Sequence, residues 1–121
     1  MTQASRIIRI RKSNRDPLRF ETVKGYKHSM TYKGHCYEFF LAKDNRLTSN
    51  LRIGWSVYET SCGLACAWGK TRVFALEDLI RRLPRIDEIM CKADNDPMDV
   101  ISRFRQELID YQIQSVENGL K

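Results

Sequence analysis

The first residues to weigh for chemistry are the run Gly63 to Thr71, GLACAWGKT, in a chain of 121 residues. A phosphate-binding loop needs four residues between its two glycines, because successive backbone N–H groups must curl around the phosphates. Here Leu64 to Trp68 intervene, one residue too many, and they alternate as a strand does. No nucleotide-hydrolysing loop is expected. Lys70 and Arg72 nevertheless flank Thr71, the expected N-cap of a helix, where unpaired N–H groups and the helix dipole favour an anion.

The histidines and cysteines offer less. His35 and Cys36 are neighbours, and adjacent strand residues point to opposite faces, so they make no nucleophile–base pair. His28 sits on an aromatic-rich strand face, as a core histidine does. The set His35, Cys36, Cys62 and Cys66 lacks a C-x₂-C knuckle and a second pair at zinc-ribbon spacing. No metal and no cofactor is expected. Most carboxylates fall beside arginines on helix faces, and no pair stands out as general acid and base. The chain therefore reads as a non-enzyme. Without a secretory pattern, its four cysteines are expected as reduced thiols in the cytoplasm. No apolar run approaches the roughly 18 residues of a membrane span, so a membrane is not an expected partner.

Charge carries the strongest functional signal. Lys and Arg total 21 against 15 Asp and Glu, a net charge of +6. Residues 1–60 hold 12 basic and 5 acidic side chains, whereas residues 61–121 hold 9 and 10. The excess is concentrated in Arg6, Arg9, Arg11, Lys12, Arg15, Arg19, Lys24, Lys27 and Lys33, and all of these but Arg19 are expected to contact phosphates, joined by Lys70 and Arg72 as a second phosphate contact. Clustered cations raise the local potential and steer polyanions inward. Aromatics interleave with these lysines, but alternation assigns Tyr26, Tyr32 and Phe39 to the apolar face. They are expected as core rather than as stacking platforms for bases.

The elements that must hold these residues follow from periodicity. Arg6–Lys12 and Leu18–Val23 read as short strands. Tyr26–Tyr32 alternates cleanly, Lys33-Gly34 makes a two-residue hairpin turn, and His35–Lys43 returns. Leu51–Tyr58 is the strongest strand, turned by Thr60–Gly63 into Leu64–Trp68. The period then becomes helical, with Val73, Leu76, Leu79, Ile80 and Leu83 as the apolar stripe. Thr71 caps this helix and Pro84 is expected to stop it. A short helix over Ile86–Ala93 follows, then a third capped by Asp96 with Pro97 at its first position. Ile101, Phe104, Leu108 and Tyr111 form the core stripe of this last helix. Ile109, Ile113 and Val116 lie on a second side of it.

Strands first and helices last imply one α+β domain over residues 1–121, with a basic β-rich half (1–68) and a helical half (69–121). The expected architecture is an antiparallel sheet of about four or five strands with two or three C-terminal helices on one face. The junction Gly69-Lys70-Thr71-Arg72 with Ala75 resembles the final strand-to-helix junction of double-stranded-RNA-binding domains. Val73 stands where that family carries a further lysine, and no helix leads into the sheet. The Gly-x-Thr junction is also similar to that of HicB-type antitoxin domains. Each likeness covers about a dozen residues or fewer and brings no site residues with it.

Two functions fit these features. One is a small nucleic-acid-binding protein that contacts RNA or DNA phosphates through its basic β surface. The other is a protein-binding regulator or inhibitor, of the phage, mobile-element or antitoxin type. It would dock on a host or nucleic-acid-handling protein through Ile109, Ile113 and Val116, a stripe that could equally seal a homodimer.

Overall fold

Alternating apolar and polar residues set up the sheet, and the computed structural model describes residues 3–10, 19–44 and 54–119 of it and of the helices that follow. The strands are β1 (Gln3–Ile10), β2 (Arg19–Tyr32), β3 (His35–Asp44), β4 (Gly54–Glu59) and β5 (Ala65–Gly69). Each pairs antiparallel with its sequence neighbour, giving the order β1-β2-β3-β4-β5. Two helices complete the α+β fold, α1 (Arg72–Asp94) and α2 (Val100–Gly119).

The hairpin between β2 and β3 turns on Lys33 (φ 49°) and Gly34 (φ 81°), the paired left-handed conformation whose twist matches the flanking strands. Its register pairs Tyr26 with Leu41 and Met30 with Tyr37, and Leu41 in turn pairs with Val57. One face therefore presents Phe39, Leu41 and Val57, all buried, to Ala75, Leu79, Leu83, Ile86 and Met90 of α1.

The opposite face has a core of its own: Ile8, Phe40, Ala42 and Tyr58 are buried together, with Ala4 and Val23 against them. Gly25 explains how β1 and the first half of β2 reach it. A Cβ at Gly25 would run into the Leu41 carbonyl and stand 3.0 Å from the Phe40 ring. Only a residue without a side chain lets β2 approach β3 so closely. Arg19–Val23 and Tyr26–Tyr32, expected in separate strands, are thus parts of one continuous 14-residue strand, Leu18 lying outside the described residues.

Three further expectations change. Pro84 does not stop α1, which runs 23 residues through it. A proline costs one internal hydrogen bond, but the buried series Leu79, Leu83, Ile86, Met90 and Ala93 continues across it against the sheet, and tertiary packing outweighs the local penalty. The stripe is also rotated. Val73 and Ile80 are 64% and 58% exposed, while Ala75 is fully buried. Gly69 sets that rotation, because a Cβ there would meet the backbone of Phe74 and Ala75, so β5 and the first turn of α1 lie in direct backbone contact. Finally, α2 begins at Val100 rather than Pro97, with the Asp99 carboxylate accepting from the Ile101 N–H at 2.9 Å. Asp96 instead accepts from the Met98 N–H within the preceding turn.

Candidate nucleic-acid interface

The cation-rich segment begins where α1 meets the sheet. Thr71 caps α1 as expected, its hydroxyl accepting from the Phe74 N–H at 3.2 Å. This fixes Arg72 at the first helical position. Its guanidinium lies over two rings at once, 5.0 Å from the centroid of Tyr26 and 5.4 Å from that of Trp55. The two rings are 6.1 Å apart and tilted by 40°. Such stacking orients a cation while leaving the rim of its N–H groups able to donate.

The register extends this cluster. Lys43 pairs with Trp55 across β3 and β4, and Trp55 pairs with Gly69, the residue that leads into Lys70. Lys24 lies two residues before Tyr26 on the same face of β2, opposite Ser5 of β1. Lys24, Lys43, Lys70 and Arg72 are all exposed, and Tyr26 and Trp55 are half-buried.

Pairing separates these cations from most of those further along the two helices. Arg81 and Arg82 both bind Asp78, Arg85 binds Glu88 at 2.9 Å, and Arg105 binds Asp94 at 2.6 Å. Asp78 also accepts from the Trp68 N–H at 3.0 Å. Burial alone would raise its pKa, but Arg81, the Trp68 N–H and Arg82 together hold it below its ordinary value. Among the described residues, Lys24, Lys27, Lys43, Lys70 and Arg72 make no ion pair. Their charge is uncompensated.

The expected binding set does not gather on one surface. Arg72 lies over the Tyr26–Trp55 pair, Lys24 is two residues from Tyr26 on the same face of β2, and Lys70 follows Gly69, the register partner of Trp55. Lys27 lies on the other face of β2, paired with Phe40. Lys33 sits in the hairpin turn, 5.6 Å from the centroid of the Tyr32 ring. Arg6 is half-buried in β1 and donates to the Ser5 carbonyl at 2.9 Å. Arg9 is a β1 residue opposite Phe20, and Arg11, Lys12 and Arg15 lie outside the described residues. Lys43 was read as the last residue of the strand His35–Lys43, and only the register that pairs it with Trp55 brings it to this cluster. Tyr26 was assigned to the core by alternation, which does not say how far a covering helix extends, and Trp55, read only as part of the strongest strand, packs against the core while staying part-exposed. Tyr32 and Phe39 do pack with the core.

A second polar cluster lies at the other end of α1. His35 Nδ1 is 2.9 Å from Asp87 Oδ1, and the Tyr37 hydroxyl donates to that same oxygen. Cys91 Sγ is 3.6 Å from His35 Nδ1 and 3.7 Å from Asp87 Oδ1. The Tyr37 hydrogen bond, with His35 beside it, holds the Asp87 carboxyl below its ordinary range. Burial, and then the neighbouring carboxylate, pushes the Tyr37 phenol upward. Asp87 and Cys91 are a helical turn apart, a spacing visible in the sequence, but nothing there joins them to a histidine 52 residues earlier.

The other cysteines stand apart from this cluster. Cys62 is buried in the β4–β5 turn, and burial pushes the Cys66 thiol up to about 12. Cys36 is exposed, 3.6 Å from the Thr31 hydroxyl. All four are free.

On α2, Ile109, Ile113 and Val116 are 46%, 52% and 64% exposed. With Gln112 and Glu117 they line a shallow groove of about 300 Å³. No helix among the described residues is long and apolar enough to cross a membrane.

No protein-family model matches this chain, and no curated protein or solved structure matches it. The likeness of the β5–α1 junction to double-stranded-RNA-binding and antitoxin domains is therefore confined to the few residues of that junction.

Proposed function

We propose that this protein is a small, non-enzymatic nucleic-acid-binding protein whose contact surface is the cationic and aromatic cluster at the start of α1. The observation that carries the reading is the alignment of unpaired cations, Lys24, Lys43, Lys70 and Arg72, around the half-buried Tyr26–Trp55 pair. Phosphates are met by cations whose charge is not already compensated. Half-exposed rings supply faces on which unpaired bases stack. This combination favours single strands over duplexes, because a duplex keeps its base faces hidden.

Binding is tested by fluorescence anisotropy with labelled single-stranded DNA, single-stranded RNA and duplex DNA across a salt series. If each of the four cations neutralises one phosphate, the log–log slope is about −2.8 for single strands and about −3.6 for duplex. Raising salt from about 50 to 200 mM then weakens single-strand binding roughly 50-fold and duplex binding roughly 150-fold. Replacing Lys24 and Lys43 together by alanine makes the slope shallower by about 1.4 for single strands. Absence of binding at low salt, or an unchanged slope in that variant, refutes the proposal.

The exposed stripe of Ile109, Ile113 and Val116 favours a second reading, a regulator that docks on a protein through α2. Replacing Ile109 and Ile113 by asparagine would then abolish partner capture without altering the salt slope. Under the first reading alone, that variant behaves as the parent in every binding assay.

A further inference from the structure

We propose that His35, Asp87 and Cys91 form a binding site for one divalent ion of the zinc class, with three protein ligands and a fourth position open to water. This is independent of the nucleic-acid reading. It rests on a different set of residues at the opposite end of α1.

The donor set is the first argument. An imidazole nitrogen, a carboxylate oxygen and a thiolate sulfur together suit a borderline ion such as Zn²⁺ or Co²⁺, whereas Mg²⁺ and Ca²⁺ prefer oxygen alone. Geometry is the second. Tetrahedral coordination at the usual bond lengths of about 2.0–2.3 Å separates neighbouring ligand atoms by roughly 3.3–3.6 Å. The nitrogen–sulfur and oxygen–sulfur separations here are 3.6 and 3.7 Å. The nitrogen–oxygen separation is 2.9 Å, a hydrogen bond. It needs to open by only a few tenths of an ångström, the ion taking the place of the shared proton. All three ligand atoms lie within 4.8 Å of one another.

The supporting elements are the third argument. Asp87 and Cys91 project from one side of α1 a turn apart, and His35 opens β3 directly after the tight hairpin turn, so both platforms are regular structure rather than loop. Tyr37, two residues along the same face of β3, donates its hydroxyl to Asp87. Such outer partners fix the orientation of a ligating carboxylate. The His35 side chain is 52% exposed and that of Asp87 11%, so the ion has a route from solvent into a site that is otherwise enclosed. On binding, the thiol proton of Cys91 passes to solvent, and the proton that His35 Nδ1 donates to Asp87 leaves that nitrogen, so that the ligating imidazole carries its one proton on Nε2.

The test uses the full-length reduced chain, stripped of metal, titrated with Co²⁺ and then Zn²⁺. The expected result is one Co²⁺ per chain, with a thiolate-to-cobalt charge-transfer band and d–d bands of four-coordinate intensity, all removed by Zn²⁺. Mg²⁺ and Ca²⁺ at the same concentrations leave the spectrum unchanged. Cys91→Ser abolishes the charge-transfer band and Cys36→Ser leaves it intact. Tyr37→Phe keeps the band but weakens affinity roughly 10-fold. His35→Ala, at a half-exposed side chain, also abolishes the band with unchanged far-UV circular dichroism, which decides the matter should Cys91→Ser fail to fold. Absence of a thiolate band, its survival in His35→Ala or folded Cys91→Ser, or its loss in folded Cys36→Ser overturns the proposal.

Discussion

Replacing Pro84 by alanine should stabilise the protein. Pro84 lies inside α1, is exposed, and is flanked by the buried Leu83 and Ile86. Relative to alanine, an interior proline costs about 3 kcal/mol, through its missing N–H and its clash with the carbonyl four residues earlier. Its stiffness returns about 0.4–1 kcal/mol by restricting the unfolded chain. The net gain on substitution is therefore about 2 kcal/mol. An exposed ring leaves no cavity, so no packing term opposes the gain. For 121 residues, an unfolding entropy of about 0.25 kcal/mol/K converts this gain to a rise in Tm of roughly 8 °C. Differential scanning calorimetry measures it, and hydrogen exchange adds a residue-level check. The new amide at position 84 should exchange slowly, donating to the Ile80 carbonyl. An unchanged or lowered Tm, together with a fast-exchanging amide, would mean that the chain breaks there into two helices. The continuous α1 would then be refuted.

Two further outcomes follow from features of the sheet and its helix. Gly25→Ala places a Cβ against the Leu41 carbonyl, so it should cost about 3 kcal/mol or more; a Tm within 2–3 °C of the parent, at about 4 °C per kcal/mol, would show that β2 does not need the close approach. Asp78 titrates below its ordinary value in the folded state, so its stabilisation is complete above the unfolded pKa near 4 and is lost as pH falls through the folded value. With Arg81 and Arg82 71% and 53% exposed, that increment is no more than about 1 kcal/mol. Urea unfolding of the parent and of Asp78→Asn should therefore converge as pH falls from about 4 through the folded value, and a difference that stays constant from pH 7 to pH 2 would contradict the assignment.

The parts legible in the sequence were those governed by local rules. Lys33-Gly34 announces its hairpin because few dipeptides tolerate two left-handed residues, and Thr71 announces a cap because its hydroxyl reaches the third N–H of the helix. What escaped was decided at long range. Pro84 obeys its local rule in energy but not in outcome, because a continuous apolar face spans it. Gly25 looked like a strand end, whereas its role is fixed by a carbonyl on β3. The rotation of α1, which exposes Val73 and Ile80, is set by the contact of Gly69 with Ala75. The candidate sites divide the same way. Lys24 was found from charge, and Lys70 and Arg72 from their place beside a helix cap, but their union with Lys43, Tyr26 and Trp55 depends on strand register. His35 meets Asp87 and Cys91 only because α1 continues past Pro84.

The sequential order of the five strands has a consequence for how the chain is made. Each hairpin can close as soon as its second strand emerges from the ribosome, since every strand pairs with the one before it. The helix that covers Phe39, Leu41 and Val57 is synthesised afterwards, from Arg72 to Asp94. Between the end of β4 at Glu59 and the end of α1 at Asp94, translation at about 5–20 residues per second leaves a lag of roughly 2–7 s. For that interval the nascent sheet presents a bare apolar face, and a holding chaperone would find it there. Slower translation across α1 should therefore lower the soluble yield, although the finished fold is the same.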